Sequence, residues 1–356
     1  MKKSVTLHTK VFITVFSALL GLLIIAAIVL WTVLDAYEAT RPKNTAAQIF
    51  NRYFATYDFA GFLKAVEPNF ASPESDDGIN SAVKSHYNGV SLELLKLDSK
   101  TLGEEIYAVA ADNKKIASFT LKKSAKSAKY GFKYYELSGG EVFFPERQNI
   151  TVTVPAGYVL KFDSITVDSK YIVEKEIKDR SCDHVLAPAV GIYYEKYTVE
   201  NLFSKPAVSV YSPDGTEVTT EYDISSGAFK ASVKYDDILA SEHRTYCLEA
   251  ARAYAKYMTN DCTMQELSVY IDKSQPIYKK IAGVDLNWVP AHTGHSISGE
   301  SASEFYRYSE DVFSCRVTLT ATLSRPDYGD HNENIDVTFY FRKLNGRFLI
   351  YDIVTN

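Results

Sequence analysis

The sequence predicts an α+β protein: an N-terminal transmembrane helix, a helix-then-sheet region, a small β-sandwich, and a second helix-then-sheet region. Three observations predict it. An uncharged run of 24 residues from Val11 to Leu34 gives roughly 36 Å of helix at 1.5 Å per residue, enough to cross a ~30 Å hydrocarbon core. Helix-period segments precede strand-period segments twice, over about 44–140 and again over about 238–356. Between them, 141–237 is nearly all short strands and turns. With 46% hydrophobic and 23% charged residues among 356, the chain can bury cores and is not a disordered polymer. A net charge of −5 and a pI near 5.9 give no footing for nucleic-acid binding.

The membrane segment comes first. Lys2, Lys3 and Lys10 precede the apolar run, and Trp31 and Tyr37 stand at its far end, where amphipathic aromatics favour the interface. A cleaved signal peptide would have an apolar stretch of only ~7–15 residues and a small-x-small site. The flank Leu34-Asp35-Ala36-Tyr37-Glu38-Ala39 offers none, so residues 11–34 read as an uncleaved anchor. The lysine-rich tail, residues 1–10, then stays in the cytoplasm and everything beyond is extracytoplasmic. Without the three tail lysines the remainder carries −8, a balance unsuited to lying on anionic lipid or polyanionic polymer.

In the first region, Ala46, Ile49, Phe50, Tyr53, Phe54 and Tyr57 recur at helical spacing, so 45–57 is expected to be a helix capped by Asn44 or Thr45. Asp58 is expected to cap a second helix through Phe59, Phe62, Leu63 and Val66. Strands follow at 91–97, 105–111, 114–122 and 131–137, with Asp112-Asn113 as a hairpin turn. In the middle region strands are expected at 150–154, 158–162, 165–167, 190–197, 208–211 and 217–222, punctuated by Pro155-Ala156-Gly157 and Pro213-Asp214-Gly215. In the last, a helix over 241–258 carries Cys247, Ala250, Ala251, Tyr254 and Met258 on one stripe. A second helix is capped at Asp261 or Thr263, and a third runs from Pro276 to Gly283. Five strands are expected after it: 285–292, 303–313, 315–323, 335–343 and, beyond Asn345-Gly346, 347–354.

The stretch Leu344-Asn345-Gly346-Arg347-Phe348-Leu349-Ile350-Tyr351-Asp352 resembles the final hairpin of nuclear-transport-factor-two-like domains, and the Ala- and aromatic-striped opening helix fits the same family. Val154-Pro155-Ala156-Gly157-Tyr158-Val159-Leu160-Lys161-Phe162 resembles the small β-domains of Gram-positive envelope proteins. The whole layout is similar to the teicoplanin-resistance-associated membrane proteins, except that no Cys precedes Cys182, so their zinc ribbon is not matched. The resemblance implies cone-like α+β domains at 44–140 and 238–356 and a β-sandwich at 141–237. It also implies a binding or scaffolding role in the cell envelope, toward an envelope protein or wall component, connected with wall or antibiotic stress. The alternative it leaves is a cone-fold enzyme acting on a small molecule at the C-terminal domain.

Chemistry-bearing patterns are few. No nucleophile elbow, phosphate loop, dinucleotide fingerprint or helical His-Glu-x-x-His occurs, and no cofactor is expected. His292-Thr293-Gly294-His295 has metal-like spacing but lies in a Gly/Ser-rich stretch that reads as a loop, and lacks the further firm ligands a zinc site needs, so no metal is expected. Cys182, Cys247, Cys262 and Cys315 show no C-x-x-C; buried thiols are the simple reading, and a bond such as Cys247–Cys262 is open. In 316–323, Val317, Leu319, Ala321 and Leu323 alternate with Arg316, Thr318, Thr320 and Thr322; in 337–342, Val337, Phe339 and Phe341 alternate with Thr338, Tyr340 and Arg342. The apolar faces must meet the helices, leaving few ionisable groups inside the cone. Tyr306, Tyr308, His292 and His295 are the expected ligand-binding residues, with Asp352 and the two tyrosines the only candidates for catalysis.

Overall fold

The computed structural model describes residues 7–356. Lys2 and Lys3, two of the three charges behind the expected orientation, lie outside the described residues. The chain divides into two compact units: one formed by residues up to Asn149 with Phe162–Thr166 and Glu200–Ala207, the other by Ile150–Lys161, Val167–Val199 and Val208–Asn356.

The first unit opens with α1 (Leu7–Ala39), whose apolar stretch is long enough to cross a membrane and is unburied by protein. Its last carbonyls are closed locally: the Thr40 hydroxyl and amide donate to the Tyr37 carbonyl, and Arg41 N–H donates to Glu38 O. Only Thr40 and Arg41 separate α1 from α2 (Pro42–Ile49). This start is earlier than the expected cap at Asn44 or Thr45, because Pro42 occupies the first helical position and leaves Arg41 as the cap. The expected continuation to Tyr57 is a π-turn over Phe50–Phe54, closed by Ala55 N–H to Phe50 O at 2.9 Å. It delivers Phe54 into a ring cluster with Phe59, Phe62 and Phe119, at 5.4, 4.7 and 6.1 Å.

Asp58 caps α3 (Phe59–Val66) as expected, accepting from Gly61 N–H. A further helix, α4 (Asp76–His86), escaped the periodicity because only Ile79 and Val83 are buried on it; its signals are the Ser75 cap and the acidic first turn. Against these helices lies an antiparallel sheet in simple order: β1 (Leu92–Leu97), β2 (Glu104–Ala111), β3 (Lys114–Ser127) and β4 (Lys133–Val142). Asp112 and Asn113 both take positive φ, 46° and 63°, the geometry of a two-residue hairpin. Gly140 admits no side chain, since a Cβ there would lie 2.7 Å from the Phe62 ring and from Ser118 O.

The β-rich region contains β5 (Gln148–Pro155), β6 (Val159–Phe162), β7 (Ile165–Thr166), β8 (Ile172–Lys178), β9 (Tyr193–Leu202), β10 (Val208–Tyr211), β11 (Glu217–Val218), β12 (Thr220–Asp223) and β13 (Ala228–Ala231). The five-stranded sheet has the order β12-β13-β5-β9-β8, and β6 pairs with β10 beside β11. The strand expected over 217–222 is thus two short strands in different sheets. Buried Ile150, Val152 and Val154 alternate with half-buried Thr151 and Thr153, as one-sided burial requires.

In the last region α5 (Asp237–Met258) starts at an Asp236 cap, α6 (Met264–Leu267) at a Thr263–Glu266 capping box, and α7 (Pro276–Ala282) at Pro276. They cover β14 (Gly294–Ser309), β15 (Val312–Ser324), β16 (His331–Leu344) and β17 (Arg347–Thr355), again in the order of the chain. Four strands form, not five. Residues 285–292 are irregular, with the Asp285 carboxylate accepting from Asn287 N–H and Pro290 interrupting, while the Gly/Ser stretch 294–299 expected as loop begins β14. One core joins the Cys247, Ala250 and Ala251 stripe to Val317, Leu319, Val337, Phe339 and Phe341. All four cysteines are free thiols; Cys247 lies beside Cys315 in this core, not beside Cys262.

Candidate functional site

Strand periodicity sends the Val317 row inward, so its alternate residues face away from the helices. Bulges in β14, between Ser303 and Tyr306 and between Arg307 and Ser309, adjust which side chains share that outer face, and Glu304 adopts a positive φ of 52°. The result places Glu304, Tyr306 and Tyr308 with Ser314 and Arg316 of β15 and Thr338 and Tyr340 of β16 around a cavity of about 220 Å³. The β-rich region closes it with Asp179, Ser181, Tyr194 and Tyr235.

Tyrosine is the most frequent residue around the cavity, and the surface exposed to it is mostly polar. The Tyr306 and Tyr308 rings are 4.9 Å apart, and Tyr308 stacks on Tyr340 at 6.2 Å. The Tyr308 and Ser314 hydroxyls are 3.1 Å apart. Burial pushes the Tyr306 phenol up to about 12, with the Tyr158 phenol and other nearby groups adding to it. Burial, and then the Glu304 carboxylate, do the same for Tyr235, also to about 12. Tyr194 and Tyr340 move further in the same direction, burial first. Asp179 adds its negative charge to all of them and to Tyr308, while one of its oxygens accepts from Ser181 N–H at 2.9 Å.

The one guanidinium reaching in from the sheet is committed. Arg316 donates from Nε and Nη2 to Asp336 at 2.8 and 2.6 Å, and from Nη1 to Glu304 at 3.0 Å. This bond, with a second from Asn356, outweighs burial and holds Asp336 near 2. The site therefore offers phenol faces and hydroxyls around a small, partly open cavity, suited to gripping a compact group by stacking and hydrogen bonding.

Tyr306 and Tyr308 are brought together; His292, in the irregular segment before β14, and His295, at the beginning of β14, are elsewhere. His292 Nδ1 sits 2.8 Å from Pro290 O and Nε2 3.0 Å from Asp261, and the carbonyl first, then the carboxylate, raise its pKa. His295, 3.8 Å from the other Asp261 oxygen, is moved the opposite way by burial and its Nε2 has no hydrogen-bond partner. Burial opposes ionisation of Asp261, but the Thr259 hydroxyl and His292 outweigh it and lower its pKa. Among the described residues no group of three or more His, Cys, Asp or Glu is arranged to hold a metal ion. The Asp352 carboxylate lies 2.7 Å from His184 Nδ1, and that imidazole leans on Tyr340 at 5.3 Å.

Sequence reasoning missed Asp179, Tyr194 and Tyr235, which come from the β-rich region. The available signal was the polar side of two strands: Arg316 and Tyr340 were placed opposite the apolar rows, and that face needed a cover.

No protein-family model matches the chain, and no curated protein matches it. Among solved structures it is similar to an "Ntf2 like protein involved in plasmid conjugation", at 8% identity and a TM-score of 0.26, over 85% of this chain and 89% of that one. At that score the likeness carries no argument about what the chain does.

Proposed function

We propose that this is a single-pass, membrane-anchored binding or scaffolding protein of the cell envelope, with its N-terminus cytoplasmic and its folded regions extracytoplasmic. The tyrosine-lined cavity grips an envelope protein or wall component, and the setting is wall or antibiotic stress. The observation that carries the reading is the cavity itself. Its phenols are pushed above their ordinary range and the Arg316 guanidinium is bound to two carboxylates, whereas acid–base catalysis needs a positioned group poised near the working pH. Aromatic anchors set in a pocket are what binding hot spots are made of.

The test uses the full chain in its own membrane. Tyr308→Ala and Tyr306→Ala should each cut the yield of chemically cross-linked partner or wall fragment at least tenfold, with β15 hydrogen exchange unchanged. Undiminished cross-linking in both variants would remove the cavity as the binding site. Turnover of a small substrate that disappears in Tyr306→Phe or Asp352→Asn would replace binding by catalysis.

A further inference from the structure

The tip of the β3–β4 hairpin, the end of β3, the turn and the start of β4, is the most basic stretch of the chain: five lysines, Lys122, Lys123, Lys126, Lys129 and Lys133, and no acidic residue through Tyr135. Lys122 pairs with Glu104 and Lys133 Nζ donates to Ala125 O. Lys123, Lys126 and Lys129 are exposed and have no ion-pair partner among the described residues. The tip is a built turn. Ala128 N–H donates to Phe132 O at 2.7 Å, and Tyr130 takes φ 61°, a conformation uncommon for an aromatic residue.

What gives this charge a direction is where the tip ends. The Tyr130 hydroxyl lies 3.1 Å from the Thr32 hydroxyl, and the Phe132 ring meets Tyr37 edge to face at 5.4 Å. Thr32 is seven residues inside the end of α1, about 10 Å down the helix at 1.5 Å per residue, and next to exposed Trp31. The hairpin thus runs down α1 to the level where its apolar run ends. Tyr130 and Tyr134 remain 56% and 41% exposed there, and Lys129 and Lys133 are their neighbours in sequence. Exposed aromatic rings together with exposed lysines are the composition of a membrane interface.

We infer that this hairpin tip is a lipid-binding surface that docks Lys123, Lys126 and Lys129 onto anionic headgroups beside α1. The inference rests on α1 spanning a bilayer. It also overturns locally what the −8 balance suggested: net charge averages over a surface, whereas lipid reads only what lies within about 10 Å of it. Each lysine near an anionic surface is worth about fivefold in partitioning, so three are worth roughly a hundredfold.

The test places one full chain per lipid nanodisc, which excludes contact with a second copy, and follows hydrogen exchange over 123–135. In discs containing about one third phosphatidylglycerol these amides should exchange at least tenfold more slowly than in pure phosphatidylcholine, a difference erased by molar salt. Lys123→Ala/Lys126→Ala/Lys129→Ala should abolish it and the triple Lys→Arg variant should keep it, with β15 exchange unaltered in both. Equal exchange in the two lipids, or a difference that survives the alanine variant, overturns the docking surface while leaving the anchor intact. A chain that fails to enter discs at all overturns the anchor and the inference with it.

Discussion

The two helix-on-sheet regions share a plan and spend their sheets differently. In both, helices precede four antiparallel strands in chain order, and one face of the sheet is filled by phenylalanines: Phe54, Phe62 and Phe119 in the first, Phe313, Phe339 and Phe341 in the last. The other face diverges. On β2–β4 it is an open, shallow polar surface of Ser118, Thr120 and Glu141 with the Lys122–Glu104 pair. On β14–β16 it is a tyrosine field roofed by the β-rich region, with its arginine tied to two acids. The inward faces build the scaffold and are interchangeable in kind. What each region can do is written on the outward residues and on what covers them.

The comparison is sharpest where it expects equality. Phe54→Ala and Phe341→Ala each empty a fully buried ring site and should each cost about 3–5 kcal/mol. Denaturant-induced unfolding of the detergent-solubilised chain, read by hydrogen exchange in each region, should show the two losses alike. A cost below about 1 kcal/mol at either position would mean that the two cores are not equivalent.

A smaller effect should separate the outward faces. Arg316→Met breaks a bidentate pair, and because its side chain is 36% exposed, screening leaves about 1 kcal/mol, whereas Lys122→Met should change nothing measurable. The acid limb tests the same bond. Asp336 is held near 2 against an ordinary 3.8, so its stabilising contribution is complete above pH 4 and is lost as pH falls from there through 2. Asp336→Asn should flatten stability over that window. A profile identical to the parent chain would show that the pair contributes nothing in solution.

The smallest effect compares the hairpins. Asn345-Gly346 and Asp112-Asn113 both need two positive φ values, but only the former has glycine second. Asn113→Gly should gain a few tenths of a kcal/mol and Gly346→Asn should lose about as much, by melting temperature. A loss on Asn113→Gly would place that turn outside the two-residue class.

Elements with a strong local signal were legible. The apolar run, the Asp58 and Thr263 caps, the Asn345-Gly346 turn and the alternation around Val317 and Phe339 all formed as read. Those whose structure is set from a distance were not. Helix α4 buries too few residues to show a stripe, and 294–299 becomes strand only because β15 extends far enough to pair with it. Tyr306 and Tyr308 were found because they sit two apart on one strand. Asp179 and Tyr235 reach the same cavity from segments more than 60 residues away, a proximity that only tertiary structure supplies.

One last feature sets the molecule's working geometry. Thr40 and Arg41 are the whole connection between α1 and α2, and both are hydrogen-bonded to the preceding helical turn. Two residues span about 7 Å at full extension, and these are not extended. Proteins that must search the space above a membrane hang their domains on long slack leashes. This one has a stiff collar, which keeps the start of α2 within about 7 Å of the end of α1.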